Sequence, residues 1–445
     1  MKLKINYWVR SGAYTMMQRV ASFLFGFGSY FFLVRYFSVD SFGVWTLYVV
    51  VSNTVEMSRS AFIQNTFVKF FNEEGTDKGM LFTGSLLLNV ISTVVFILTL
   101  LLILPLLKTF WSSEAVGILI LWYCGTSLIL ILFTQLNYLE QANHSFAGVF
   151  WSAVVRQGAF FCIVVIGYFF VPGLSLAFFA AAQCLSAFLG LITSLFFTRK
   201  MIPPRLNLNW PLVGRLFKFG KYILGTGFTS TMGKNADQAI LGGVSHSDHS
   251  IVALYNSAVR VLNFIEIPSL SISSIVYPKI AERAAKEGIA SVGLLYEKSV
   301  ATILGFILPV ILGVLVFPEL VLTLTAGTRY ASAAGPLRMM GLASLLIPFN
   351  IQIGSVCEVV NRPHVSFYIN LFSNILNVIL NIVLIQFFGI MGAACAFAIT
   401  VFFIFGIGQW YMSTHFGIHG LNVPARIVDF YRNGWNTALG YIKNK

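Results

Sequence analysis

The chain has 445 residues, of which 57% are hydrophobic and only 10% are charged, and its mean hydropathy is +0.81. A soluble protein carries about 25% charged residues, so this composition excludes a series of soluble domains. The 43 Phe, 17 Tyr and 8 Trp also exclude a disordered chain, because that much aromatic surface must be buried. We conclude that lipid is the solvent for most of the chain.

Apolar runs of about 20 residues, the length that crosses a bilayer as a helix, recur along the whole sequence. They must be helices, because open strands would leave backbone groups unpaired in lipid. The sequence therefore predicts an all-α polytopic membrane protein. The twelve predicted spans are 13–36, 42–66, 80–107, 115–139, 146–171, 174–198, 219–244, 251–277, 292–317, 334–358, 365–388 and 391–415.

Lysine and arginine in the connections predict the orientation, since cytoplasmic loops carry an excess of both. With a cytoplasmic N-terminus, most of these cations fall inside, and the opposite side holds only Arg35, Lys108 and Arg329. We therefore expect a multi-pass protein of the cytoplasmic (inner) membrane with both termini in the cytoplasm. The formal net charge of +13 is then a topology signal, not the mark of a nucleic-acid-binding protein.

The segment 199–218 is basic and proline-containing, and it divides the predicted spans into two sets of six. The halves resemble each other weakly: at an offset of 210, Glu56 matches Glu266 and Lys69 matches Lys279. Because both halves start inside, the repeat would be parallel. We predict an N-terminal six-helix bundle (1–198), a cytoplasmic linker (199–218), a second six-helix bundle (219–415) and a cytoplasmic amphipathic tail (416–445). A central cavity is expected between the pseudo-symmetric bundles.

No known catalytic or metal motif stands out. The five cysteines are isolated in apolar runs and favour core packing. His246 and His249 flank a short external segment that fits a polar turn better than a metal site. No soluble catalytic domain fits between the spans, so we predict that the protein is not an enzyme and holds no cofactor.

Charged residues inside the predicted spans are the most informative ones. A cation at the middle of a bilayer costs about 2.5–3.5 kcal/mol, so it faces a partner or a water-filled cavity. One interpretation is a cationic cavity that suits an anionic or pyrophosphate-bearing substrate. The other is polar contacts that only join packed helices. The candidate cations are Arg19, Arg59, Arg156, Lys234 and Arg260, and the candidate polar lining is Asn256, Asn263, Asn370, Asn374 and Asn377.

Three acids lie deep within spans, and any H⁺ or Na⁺ coupling should use one of them. Glu56 and Asp237 each have a cation three residues away, at Arg59 and Lys234, which favours local ion pairs. Glu266 has no such neighbour on its own helical face. We therefore expect Glu266 to be the coupling acid.

The order of several motifs resembles the polysaccharide-transport, or Wzx-type, branch of the multidrug/oligosaccharidyl-lipid/polysaccharide (MOP) exporter superfamily. The resemblance covers nearly the whole chain. Each motif alone is loose, but their order is specific. The segments that carry it are 35–43 (RYFSVDSFG), 237–242 (DQAILG), 254–258 (LYNSA), 277–280 (YPKI), 330–337, Asn377 with Asn381, and 388–394 (FGIMGAA).

The resemblance implies a flippase for undecaprenyl-pyrophosphate-linked oligosaccharide repeat units of O-antigen, capsule or exopolysaccharide. It would move them to the outer leaflet by alternating access, with Arg19, Arg59, Lys234 and Arg260 lining the cavity. Expected partners are the lipid-linked glycan, membrane lipids and the polymerase and chain-length machinery, with the protein itself a monomer. The alternatives are a cation-coupled drug antiporter of the same superfamily and a membrane glycosyltransferase or polymerase.

Overall fold

A computed structural model describes residues 2–432, apart from 72, 74, 76, 205, 245–247, 288–291, 361 and 419. Described side chains begin at Tyr14 and leave out several between 226 and 285, Glu266 among them, together with Pro363 and Leu421. Within this part of the chain the secondary structure is helical, with no strand. The chain packs into two compact units, residues 1–250 and residues 251–445.

The described residues of the first unit form seven long helices. Its packing centres on α4, which contacts α2, α3 and α6, while α1 packs on α5 and α2 packs on α7. Large apolar side chains such as Phe67, Leu81 and Leu216 fill the core between α2, α3 and α7. The helices are α1 (Lys2–Tyr36), α2 (Val39–Phe71), α3 (Lys78–Phe110), α4 (Glu114–Ala142), α5 (Ala147–Phe170), α6 (Leu176–Thr198) and α7 (Trp210–Val244).

The second unit contains the remaining helices. A 3₁₀ turn at Thr328–Ala333 precedes α11, and another follows α13 at Gly420–Asn422. Residues beyond that turn pack on α9, where the Tyr431 hydroxyl donates to the Gly305 carbonyl at 2.6 Å. The helices are α8 (Ser250–Glu287), α9 (Val292–Val316), α10 (Pro318–Thr325), α11 (Ala334–Ser344), α12 (Ile347–Val359) and α13 (Pro363–Phe416).

Each of the twelve predicted spans lies on helix. The tenth is divided between α11 and α12, and the last two are joined in α13 across a kink at Gly389. Gly389 has φ +53°, a backbone conformation that side chains disfavour, so a glycine is needed where the helix changes direction.

Eight helical segments within the described residues are long and apolar enough to cross a membrane. Helices α2, α7 and α8, which carry Arg59, Lys234 and Arg260, are outside that group, whereas α1 with Arg19 and α5 with Arg156 belong to it. A multi-pass helical membrane protein is therefore confirmed. The count of twelve spans, the two six-helix bundles and the boundaries at 199–218 and 416–445 stay predictions.

Candidate functional site

Arg59 of α2 forms the ion pair with Glu56 that their spacing predicts. Its Nη2 group lies 2.8 Å from both Glu56 carboxylate oxygens, and its Nη1 group donates to Asn89 Oδ1 of α3. The Asn89 amide in turn donates to the Ile131 carbonyl of α4 at 3.1 Å. Arg59 is only 1% exposed, whereas the Glu56 side chain is 25% exposed. Arg59 is therefore held on two sides inside the first unit.

Sequence reasoning missed Asn89. It lies in the most apolar of the eight candidate membrane spans among the described residues, and it carries no charge that would have singled it out. A lone amide in an otherwise apolar run was the only available signal, since buried polar groups need a partner.

Arg156 of α5 has a different environment. It is half-buried, and its guanidinium lies over the Phe133 ring of α4, 5.1 Å from the ring centroid. A Cβ on Gly190 of α6 would lie 2.9 Å from the Arg156 Cβ, so this glycine leaves the room that Arg156 occupies. Arg156 has no hydrogen-bond or ion-pair partner among the described residues, and its Nε is buried without one. The guanidinium is thus oriented by packing, with its donors unused.

Contacts between α1 and α5 determine how far apart Arg19 and Arg156 lie along the helix axes, a distance that we call the difference in height. The Gln157 side chain donates to Ser22 Oγ at 3.0 Å. Ring contacts pair Tyr14 with Phe150 and Phe32 with Tyr168, so the two helices run parallel. Arg19 precedes Ser22 by less than one turn, and Arg156 precedes Gln157 directly. At 1.5 Å per residue, the two arginines differ in height by about 3 Å. Arg156 is also near enough to Glu56 to interact with it electrostatically.

Contacts between α2 and α7 place Lys234 in the same region. The Asn235 side chain donates to Thr54 Oγ1 at 3.2 Å, and the two helices run antiparallel. Lys234 directly precedes Asn235, and Glu56 follows Thr54 by two residues. Lys234 and Glu56 therefore lie within about one helical turn, or 5.4 Å, of the same height.

We call Arg19, Glu56, Arg59, Arg156 and Lys234 the charge layer. It holds four cations and one acid. Of the four cations, only Arg59 has an ion-pair partner within the described part of the chain, and that partner is Glu56. Arg19 and Lys234 are exposed. The five named side chains therefore carry a net positive charge, and within the described residues three of the four cations form no ion pair.

The second ion pair suggested by spacing does not form. Asp237 accepts a hydrogen bond from the backbone N–H of Gln238 at 2.8 Å, and it is 9% exposed. Lys234 makes no ion pair with any described residue, although it lies three positions away on the same helix. Asp237 and Lys234 therefore do not form the ion pair with each other that their spacing suggested.

The predicted polar residues of the second unit divide into two groups. Asn377 donates to Thr400 Oγ1 at 3.2 Å and so joins the two halves of α13, while Asn381 donates to the Asn377 carbonyl at 2.9 Å within the first half. Asn370 is exposed and donates back to Ser366, and Asn374 is half-buried. On α8, Asn256 is buried, Arg260 half-buried and Asn263 exposed, while the Glu266 side chain lies outside the described residues. A cavity shared with the charge layer stays a prediction.

Two glycines of the sequence motifs serve close packing at one end of the first unit. A Cβ on Gly43 would lie 1.9 Å from the His249 carbonyl oxygen, and one on Gly242 would lie 2.6 Å from a Leu47 methyl group. The His249 backbone N–H donates to Asp40 Oδ1 at 2.9 Å, and its Nε2 lies 2.6 Å from the Trp111 carbonyl. His249 is therefore a packing and hydrogen-bonding residue, and His246 lies outside the described part. No cluster of metal-binding side chains is found among the described residues.

Residues 32–335 match the family described as polysaccharide biosynthesis protein, and the chain belongs to this family. This match supports the predicted resemblance to a polysaccharide-transport family, and solved transporters of the MOP superfamily have a similar fold.

Two archaeal membrane proteins match part of the chain. The chain is 26% identical over 185 residues to a probable low-salt glycan biosynthesis flippase, Agl15, of Haloferax volcanii, covering 42% of this chain and 39% of that protein. It is 22% identical over 202 residues to an uncharacterized membrane protein, MJ1068, of Methanocaldococcus jannaschii, covering 45% and 40%. The matches thus span about two-fifths of these relatives' lengths.

Solved structures show the fold. An inward-facing multidrug-resistance MATE family transporter of the MOP superfamily matches with a TM-score of 0.73 at 14% identity, over 92% of this chain and 96% of that one. The lipid II flippase MurJ in an inward closed conformation matches with a TM-score of 0.69 at 14% identity, over 96% and 93%. The chain is therefore a multi-pass membrane protein with a MOP-transporter fold.

Proposed function

We propose that the protein is a flippase for undecaprenyl-pyrophosphate-linked oligosaccharide repeat units, which it moves from the inner to the outer leaflet of the cytoplasmic membrane by alternating access. The observation that carries this proposal is the charge layer, in which Arg19, Arg156 and Lys234 lack ion-pair partners among the described residues. The family match and the similarity to a probable glycan flippase support it.

The depth of these cations in apolar helices makes them energetically costly. Arg156 lies about 14 Å from the start of α5, in an apolar helix of 24 residues. One uncompensated cation at such a depth costs about 2.5–3.5 kcal/mol. Three cations at one height would therefore cost roughly 8–10 kcal/mol unless water or an anion meets them. A pyrophosphate supplies several acceptor oxygens and a multiple negative charge, which suits three cations of this kind.

The environments of the cations suggest separate roles. Arg156 is oriented by Phe133 and can offer a forked pair of donors to one phosphate. Arg19 and Lys234 are exposed, so their side chains can change position and stay in contact with the phosphate charge as the substrate moves. Arg59 is already bonded to Glu56 and Asn89, so it would reach a substrate only after Glu56 releases it. Binding by Arg260 and the asparagines of α8 and α13 remains part of the proposal.

Two lysines of α7 provide a matched test. Lys234 and Lys221 are both exposed and lie on the same helix, about 20 Å apart. In vesicles that contain lipid-linked oligosaccharide, Lys234→Gln should lower the rate of flipping about tenfold or more, as expected for loss of one charge-assisted contact of at least 1.4 kcal/mol. Lys221→Gln should leave the rate unchanged. Equal rates for the two variants would remove Lys234 from the substrate path and weaken the proposal as a whole.

A cation-coupled antiporter of small molecules is the second candidate, and the likeness to MATE transporters favours it. In either case we propose that Glu266 couples transport to H⁺ or Na⁺, with Glu56 and Asp237 as the alternatives. Transport should be measured with and without an imposed gradient. If Glu266→Gln keeps the full dependence on the gradient, Glu266 is not the coupling acid. Extrusion of cationic dyes without any flipping of glycan lipid would favour the antiporter.

A further inference from the structure

An apolar groove of about 460 Å³ lies between the two halves of α13, on either side of the kink at Gly389. This volume is in the range of small-molecule binding sites. Three residues of the second half, Phe403, Ile407 and Tyr411, recur every four positions along one wall. The opposite wall is formed by Val365, Tyr368, Ile369, Phe372, Ile375, Leu376 and Ile379.

The dimensions of the groove suit a single extended chain. Its first wall runs from Val365 to Ile379, which is about 21 Å at 1.5 Å per residue. This is roughly two-thirds of the ~30 Å hydrocarbon thickness of a bilayer. Phe372 and Tyr368 are 61% and 54% exposed, so the groove is open along its side. A long apolar chain could therefore enter laterally, without passing through a narrow opening.

One end of the groove carries a cation. The exposed Arg362, just before α13, donates from Nη1 to the Tyr411 hydroxyl at 3.0 Å, and Tyr411 itself lines the groove. The His415 ring stacks on Tyr411 with centroids 4.2 Å apart. Arg362 keeps its remaining guanidinium donors for an anion. The groove therefore complements a lipid phosphate. Arg362 can bind the anionic head, and the apolar walls can bind the tail.

We propose that this groove binds the polyprenyl chain of the lipid carrier, with the phosphate next to the chain held at Arg362. The assignment rests on the proposed function, because it is the glycan carrier that makes a polyprenyl chain the occupant. A polyprenyl chain has a methyl branch on each isoprene unit. Ridges of side chains on a helix are spaced about 5–6 Å apart, which offers regular hollows to such branches. The topology predicted from the sequence puts Arg362 on the cytoplasmic side, where the substrate would be loaded.

Photolabelling tests the groove directly. Full-length protein in nanodiscs of phosphatidylethanolamine and phosphatidylglycerol is labelled with a diazirine-bearing polyprenyl phosphate that carries no sugar, and the labelled peptides are identified by mass spectrometry. Label should appear on residues 365–379 and 403–411, and excess unlabelled polyprenyl phosphate should remove it. Equal removal by added phosphatidylglycerol would show an ordinary lipid boundary and overturn the proposal. An absence of label in these segments would overturn it as well.

Matched variants separate the tail from the head. Phe372 and Phe402 both lie on α13 and are 61% and 52% exposed, but only Phe372 lines the groove. Phe372→Ala should reduce labelling about fivefold to tenfold, and Phe402→Ala should not. Arg362→Gln should weaken labelling by the polyprenyl phosphate but not by a neutral polyprenol probe, with Arg338→Gln as the control cation. If Phe372→Ala and Phe402→Ala label equally, the groove assignment is wrong.

A separate flipping assay distinguishes this inference from the proposed function. Specific labelling by polyprenyl phosphate in a protein that does not flip glycan lipid would support the groove assignment and reject the proposed flippase function. Normal flipping without specific labelling would retain the flippase and reject the groove.

Discussion

Removal of Glu56 and removal of Arg59 should destabilise the protein by different amounts. Arg59 is 1% exposed and Glu56 is 25% exposed, so the two charges have different access to water. In Glu56→Leu, Arg59 remains buried with Asn89 as its only hydrogen-bonding partner in the described part of the chain. Removal of one partner from a buried ion pair costs about 3–5 kcal/mol. We expect a loss of this size in the free energy of unfolding.

Arg59→Leu should be milder. The remaining Glu56 carboxylate is partly exposed and can be hydrated, while Asn89 loses a partner at a fully buried oxygen. One buried unsatisfied acceptor costs about 1–3 kcal/mol. The double variant should resemble Arg59→Leu, because no uncompensated charge remains in it.

Reversible unfolding in mixed micelles of dodecylmaltoside and SDS measures all three variants against the parent protein. The double-mutant cycle then gives the coupling between the two side chains, which equals the cost of Glu56→Leu, about 3–5 kcal/mol, if the double variant resembles Arg59→Leu. If Arg59→Leu proves more damaging than Glu56→Leu, the burial of the Arg59 charge does not determine the effect, and the reasoning fails. A coupling near zero would show that the pair is replaced by water.

Two further predictions concern close contacts. Gly43→Ala would bring a Cβ to 1.9 Å from the His249 carbonyl oxygen and should lower the free energy of unfolding by about 1–3 kcal/mol. Gly26→Ala is the control, because its Cβ would have nothing within 4 Å, and it should be neutral or stabilising. Thermal unfolding measures both variants. Gly190→Val should displace Arg156 and reduce flipping more than Gly26→Ala does, at comparable membrane insertion. Unchanged flipping in Gly190→Val would show that the position of Arg156 does not matter for transport.

The sequence alone determined the class of protein and the positions of its helices. Apolar runs and unpaired backbone groups in lipid leave little alternative to helices, and every predicted span lies on helix. It also determined the Glu56–Arg59 pair, because residues three apart on one helix are neighbours. These are local properties, which depend on residues close together in the chain.

Only the tertiary structure decided which charges are neutralised. Lys234 and Asp237 have the same spacing as Glu56 and Arg59 but form no ion pair with each other. Asn89, thirty positions from Arg59, completes the burial of that arginine, while Arg156 occupies the space left by Gly190 without gaining a hydrogen bond. Helical spacing specifies which side chains share a face. Which partner meets that face depends on the packing of other helices, and no periodicity within one helix contains that information.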